Sequence, residues 1–134
     1  MRTLKFRAWD TANKRWATES DFKEVGLFVN YYIDGSGKFE LQADVNECGY
    51  GRFEIVEFAG LKDRNGKEIY EGDILYCSED PGSTHLIKWF EEMGRWNYDR
   101  IEDGEDMHCH YDMKDFLLEC KIIGNIYENP ELLK

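Results

Sequence analysis

His108-Cys109-His110 is the densest run of potential metal ligands in the chain. On an extended segment His108 and His110 point to one face, so both imidazoles can reach one ion, with Asp106 or Asp112 adding an oxygen. Zinc needs three or four converging ligands, and no second pair stands at ligand spacing; His85 and Cys77 are single residues. The triplet follows an acidic loop, "DRIEDGED", where polar residues are commonplace, so a structural or surface role is the preferred reading. A metal-dependent hydrolase centred on His108 and His110 would also need a general base, and the sequence singles out none. Nucleophilic catalysis fares no better. Ser83-Thr84-His85 adjoins Pro81-Gly82 and reads as turn chemistry, and no GxSxG elbow is present. Carboxylate pairs such as Glu91-Glu92 are so abundant that finding one carries no information. No catalytic residue and no cofactor is assigned, and catalysis is the less favoured class.

The stretch "GLKDRNGKEIYEGDIL", residues 60–75, sets Gly60, Gly66 and Gly72 beside Lys62, Arg64 and Lys67. A phosphate cradle requires a glycine-rich loop that leads into a helix N-terminus. Here the glycines lead into a turn and then the strand "DILYC", so they read as turn punctuation. Asn65-Gly66 predicts a type I′ hairpin turn, with positive φ at both residues, and Gly72 a second reversal. Trp89, Phe90, Trp96 and Tyr98 flank the turn at Met93-Gly94. Trp89, Trp96 and Tyr98 are the candidate interaction face, of the kind small barrels use to stack on bases or grip peptides. Arg95 and Arg100 are its only nearby positive charges, opposed by Glu91, Glu92 and Asp99, which favours a protein partner over nucleic acid.

The elements that must position these residues are mostly strands. "LKFRAWD" alternates with period two, "DTANKRW" turns, and Trp16 resumes an apolar element, which makes an opening hairpin. "EVGLFVNYYI", "DGSG" and "KFELQA" predict a second hairpin, and "RFEIVEF" a further strand. "STHLIKWFEE" and "GRWNYDRI" predict two more. "DMKDFLLE" is a short helix with Asp112 as N-cap, "CKIIGNIY" a closing strand with a bulge or close approach at Gly124, and "NPELLK" a last helical turn. No internal repeat is apparent. The fold class is therefore mainly β, an α+β chain with little helix. A β-rich N-terminal part, 1–60, packs on an SH3-like small barrel, 61–134, or the two form one continuous domain.

The chain has 134 residues and a net charge of −11, divided as −2 over residues 1–60 and −9 over 61–134. Such a balance opposes general binding to DNA or RNA and suits a basic partner. The 4 cysteines, Cys48, Cys77, Cys109 and Cys120, include no CxxC pair. "MRTLKFRAWD" lacks the apolar core of a secretory leader, and no stretch is long and apolar enough for a membrane span. Reduced structural thiols in the bacterial cytoplasm are expected. Aromatic-rich strands and sheet edges suggest self-association.

Three segments, "LKFRAWD", "FAGLKDRNGKEIYEGDIL" and "IIGNIYENPELL", resemble in that order the YopX family, small proteins encoded by phages and prophages. The resemblance implies a mainly β, cytoplasmic accessory protein and assigns no activity to Tyr70, Gly72, Asp73 or Asn125. The expected function is a non-catalytic protein-interaction module, with a host or phage protein as partner. The alternatives are a nucleic-acid binder or acidic DNA mimic, and a metal-dependent enzyme using His108 and His110.

Overall fold

The computed structural model describes residues 5–18, 28–33, 35–36, 39–44, 53–78, 83–103 and 113–133. The fold is mainly β, as the alternation of apolar residues predicts. The chain divides into two compact units, Phe6–Val56 and Met1–Lys5 with Glu57–Lys134.

In the N-terminal unit β1 (Phe6–Asp10) and β2 (Arg15–Trp16) pair antiparallel, with Trp9 opposite Trp16 and Asp10 opposite Arg15. The strands β3 (Phe28–Ile33) and β4 (Phe39–Asp44) form the second expected hairpin, paired from Phe28↔Asp44 to Ile33↔Phe39. On its other side β1 neighbours β5 (Phe53–Lys62), whose first residues belong to this unit. Among its described residues Ala8 and Phe53 form a buried cluster, with Ala17 and Ile55 packed against them.

The C-terminal unit takes up the rest of β5, which pairs with β6 (Glu68–Tyr70). It continues through β7 (Asp73–Cys77), β8 (Ser83–Phe90), β9 (Arg95–Arg100), helix α1 (Met113–Leu117) and β10 (Cys120–Asn125), and ends in a 3-10 turn over Pro130–Leu133. The order β10-β7-β8-β9 is antiparallel throughout and curls into half a barrel. Hairpin, helical turn and closing strand follow one another as an SH3-like reading expects. Among the described residues no ladder joins β9 to β10, so the curl stops short of closure. Ile69, Leu75, Ile87 and Tyr98 are fully buried and meet Phe116 and Leu117 of α1. Each such apolar side chain contributes about 1.5–3 kcal/mol by leaving water.

The turn after β5 departs from its prediction. Only Gly66 has positive φ (78°), and Asn65 does not, so this is not a type I′ turn. Gly66 N–H donates to Asp63 O at 3.0 Å, and Asp63 N–H to Lys67 O at 2.9 Å. The buried Asp63 carboxylate explains the choice. Its Oδ1 accepts from the N–H of Asn65 and of Lys67, both at 2.9 Å, and its Oδ2 from Ile122 N–H of β10 at 3.0 Å. An aspartate that organises its own turn replaces a turn whose two residues would both need positive φ. Gly124 fulfils its prediction twice over: the β7–β10 register shifts between Ile122 and Gly124, and a Cβ there would meet Asn129 Oδ1 at 2.4 Å.

The cysteines correct a second expectation. Cys77 and Cys120 stand opposite each other on β7 and β10 and form a disulfide, with their Cα atoms 4.2 Å apart. They lie 43 residues apart in sequence, and only strand pairing brings them together. Cys48 and Cys109 lie outside the described residues.

Candidate functional site

The hairpin of β8 and β9 carries the candidate face. Its strands run in unbroken register from His85↔Arg100 to Phe90↔Arg95. A 3-10 turn over Glu91–Met93 joins them and closes at Gly94, whose φ of 60° and ψ of 41° lie in the left-handed region that glycine enters without strain. The Gly94 N–H donates to Glu91 O at 3.2 Å. With that register fixed, Trp89 faces Trp96 directly, their rings edge to face at 5.2 Å and 76°. Such pairs contribute about 0.5–1.5 kcal/mol beyond the area they bury.

Alternation puts Ile87 and Trp89 on one face of β8, and Trp96 and Tyr98 on the same face of β9. The core covers the Ile87–Tyr98 pair completely and ends there. Trp96 packs against its margin, while Trp89 is 39% exposed and Met93 at the turn 63%. Tyr98 therefore leaves the expected interaction face: it is fully buried, stacked on Phe116 at 4.7 Å. Trp89 stays at the surface, with the half-buried Trp96 against it.

The surroundings are acidic. The Glu71 carboxylate accepts the backbone N–H of Trp89, and partial burial, then the nearby charge of Glu57, raises its pKa above the ordinary value. Glu91 and Glu92 are exposed on the turn itself. Lys88 is paired with Asp99, and the Arg95 guanidinium lies over the Phe90 ring, 5.9 Å from its centroid. The tip is thus apolar at its centre and negative around it.

The other sequence candidates resolve differently. His108, Cys109 and His110 lie outside the described residues. Among the described residues no three of His, Cys, Asp and Glu converge as metal ligands do. Ser83 and His85 sit inside β8 rather than in a turn, with Ser83 Oγ 2.9 Å from His85 Nε2. Both are buried, and the His85 ring meets Phe116 edge-on at 5.0 Å, so this is a hydrogen-bonded pair within the core. Asp73 Oδ2 accepts Tyr70 N–H, and Asn125 Oδ1 accepts the N–H of Tyr127 and Glu128. The conspicuous residues of "GLKDRNGKEIYEGDIL" and "IIGNIYENPELL" hold turns.

The sequence also carries a local repeat. "WDTANKRW" (9–16) and "WFEEMGRW" (89–96) share tryptophans seven residues apart and an Arg-Trp ending. Both fold as hairpins with Trp opposite Trp, and with a left-handed residue just before the arginine, Lys14 at φ 54° and Gly94 at φ 60°. The chain thus contains a repeated local hairpin, which a search for the W-x6-W spacing finds.

A small, mainly β protein with an aromatic hairpin at its surface is the class that fold and site define. The model of the YopX protein family matches residues 5–134, and the chain belongs to that family. Its structure is similar to the crystal structure of protein EF1440 from Enterococcus faecalis, with a TM-score of 0.61 and 29% identity over 100% of both chains. No curated protein matches the chain.

Proposed function

We propose that the protein is a non-catalytic interaction module that grips a protein partner with the tip of the β8–β9 hairpin, through Trp89, Met93 and Trp96. The observation that carries this reading is the exposed Trp89, set edge to face on the half-buried Trp96, with the exposed Met93 on the turn between their strands. Tryptophan and methionine are enriched in protein interfaces, and tryptophan dominates their energetic centres. The fold gives no reason for a large apolar side chain outside the core at Trp89, whereas Asp63, Gly72, Asp73, Gly124 and Asn125 are accounted for by the turns they hold. Glu57, Glu71, Glu91 and Glu92 around the tip repel phosphate and turn the reading away from nucleic acid. The family resemblance suits an accessory phage protein acting in the bacterial cytoplasm.

The test is affinity purification from bacterial cells, comparing the native chain with Trp89→Ala/Met93→Ala by mass spectrometry. A protein retained by the native chain and lost by the double variant, with both melting at similar temperatures, supports the assignment. Equal retention by both overturns it. Light scattering over a concentration series identifies the case in which the partner is a second copy of the chain.

A further inference from the structure

The repeated hairpin allows the two tryptophan pairs to be compared residue by residue. In the N-terminal copy the Arg7 guanidinium lies over the Trp16 ring, 4.0 Å from its centroid. Arg7 stands two residues before Trp9, so it projects on the same face of β1. In the second copy the equivalent position is Ile87, which is fully buried in the core and supplies no charge. Among the described residues no cation stands over Trp89 or Trp96, since the Arg95 guanidinium is directed at Phe90 and Lys88 at Asp99. Glu71 stands at the Trp89 backbone: its own N–H donates to Glu57 O at 2.9 Å, and the next residue, Gly72, donates its N–H to Ile87 O at 2.8 Å, while Glu91 and Glu92 lie on the turn.

We infer that the Trp89–Trp96 pair with Glu71 is a receptor for an arginine side chain presented by a basic segment of a partner protein. The inference rests on the interaction reading above and names the partner's chemistry. A planar guanidinium lays its face on an indole while its N–H groups point outward to a carboxylate, which an ammonium cannot do with the same geometry. Arg7 on Trp16 shows that face occupied within the same chain. The acidic surroundings attract the segment, and the indole and Glu71 select arginine from it.

The experiment follows indole N–H resonances of the full chain during titration with tetra-arginine, tetra-lysine and tetra-glutamate peptides. Trp89→Phe and Trp96→Phe assign the two signals. The expected result is a saturable shift of both with tetra-arginine, several-fold weaker with tetra-lysine and absent with tetra-glutamate, while Trp9 and Trp16 stay still. Glu71→Gln removes the charge and keeps the side chain's size, and it weakens tetra-arginine binding roughly tenfold at low salt. Glu119→Gln, on an exposed residue after α1, leaves it unchanged. The inference is overturned by no shift, by equal affinity for arginine and lysine, by equal movement of all four indoles, or by indifference to Glu71→Gln. If tetra-arginine fails while Trp89→Ala/Met93→Ala still loses its captured protein, the arginine inference falls and the interaction module stands. If the double variant keeps that protein, the module falls.

Discussion

The two tryptophan hairpins are built alike and used differently. Trp9 and Trp16 meet edge to face at 5.1 Å and 71°, Trp89 and Trp96 at 5.2 Å and 76°. Yet Trp9 is 4% exposed and Trp89 39%. The divergence follows from the residues around each pair. After the first tryptophan stands Asp10, whose buried carboxylate accepts from Ala12 N–H, Asn13 N–H and Asn13 Nδ2. The same place in the second hairpin holds Phe90, whose side chain caps nothing. The first loop is organised from within, while the second presents apolar and acidic side chains outward. Cross-strand register makes the pair, and its neighbours decide whether the pair is structure or surface.

That contrast can be broken by substitution. The largest effect is expected from Trp9→Ala, about 3–5 kcal/mol by urea denaturation, against less than about 1.5 kcal/mol for Trp89→Ala. Equal losses would show that the second pair is as structural as the first. Next comes Asp10→Ala, which strips three hydrogen bonds from the first loop and lowers stability by about 1–3 kcal/mol. The converse change, Phe90→Asp, introduces a cap and leaves stability within about 1 kcal/mol of native, while it weakens partner capture.

A smaller test exchanges the left-handed residues. Gly94→Lys forces a side chain into positive φ and costs about 1–2 kcal/mol, whereas Lys14→Gly changes the melting temperature little. A comparable loss from Lys14→Gly would mean that Lys14 makes contacts outweighing its backbone strain. The smallest effect concerns pH. Partial burial, then Glu57, raises the Glu71 carboxyl above its ordinary value of 4.5. The folded state therefore holds this proton more tightly than the unfolded chain, and stability falls as pH rises through the window between the two values. Glu71→Gln removes that slope. It melts above the native protein at neutral pH and together with it below pH 4.5. An unchanged pH profile would show that the Glu71 carboxyl titrates alike in the folded and unfolded chain.

Much of the fold was legible because it is written locally. Alternation in "LKFRAWD" and "STHLIKWFEE" marks β1 and β8, and Gly72 and Gly94 mark reversals at positions whose φ is observed to be positive. The candidate site was legible in part. Trp89 and Trp96 were found from their type and their place at a turn, but Tyr98 was grouped with them because alternation does not say where a core ends. The type I′ expectation at Asn65-Gly66 failed because the Asp63 side chain competes for the same backbone donors. The Asp10 loop and the W-x6-W repeat are written in the sequence too, but as equal spacing, which the alternation that marks strands does not reveal.

By itself the sequence determined the mainly β class, most strand positions, the turn glycines and the family segments. These depend on dihedral preferences and on contacts between residues a few places apart. Only the tertiary structure decided that Cys77 meets Cys120, that Asp63 reaches Ile122 on β10, and that Glu71 holds the backbone of Trp89. The first two join segments far apart in the chain, and the third joins the turn before β7 to the strand after it; such pairing is a property of the whole sheet. Whether a tryptophan on a well-read strand supports the fold or meets a partner depends on where that sheet's core ends.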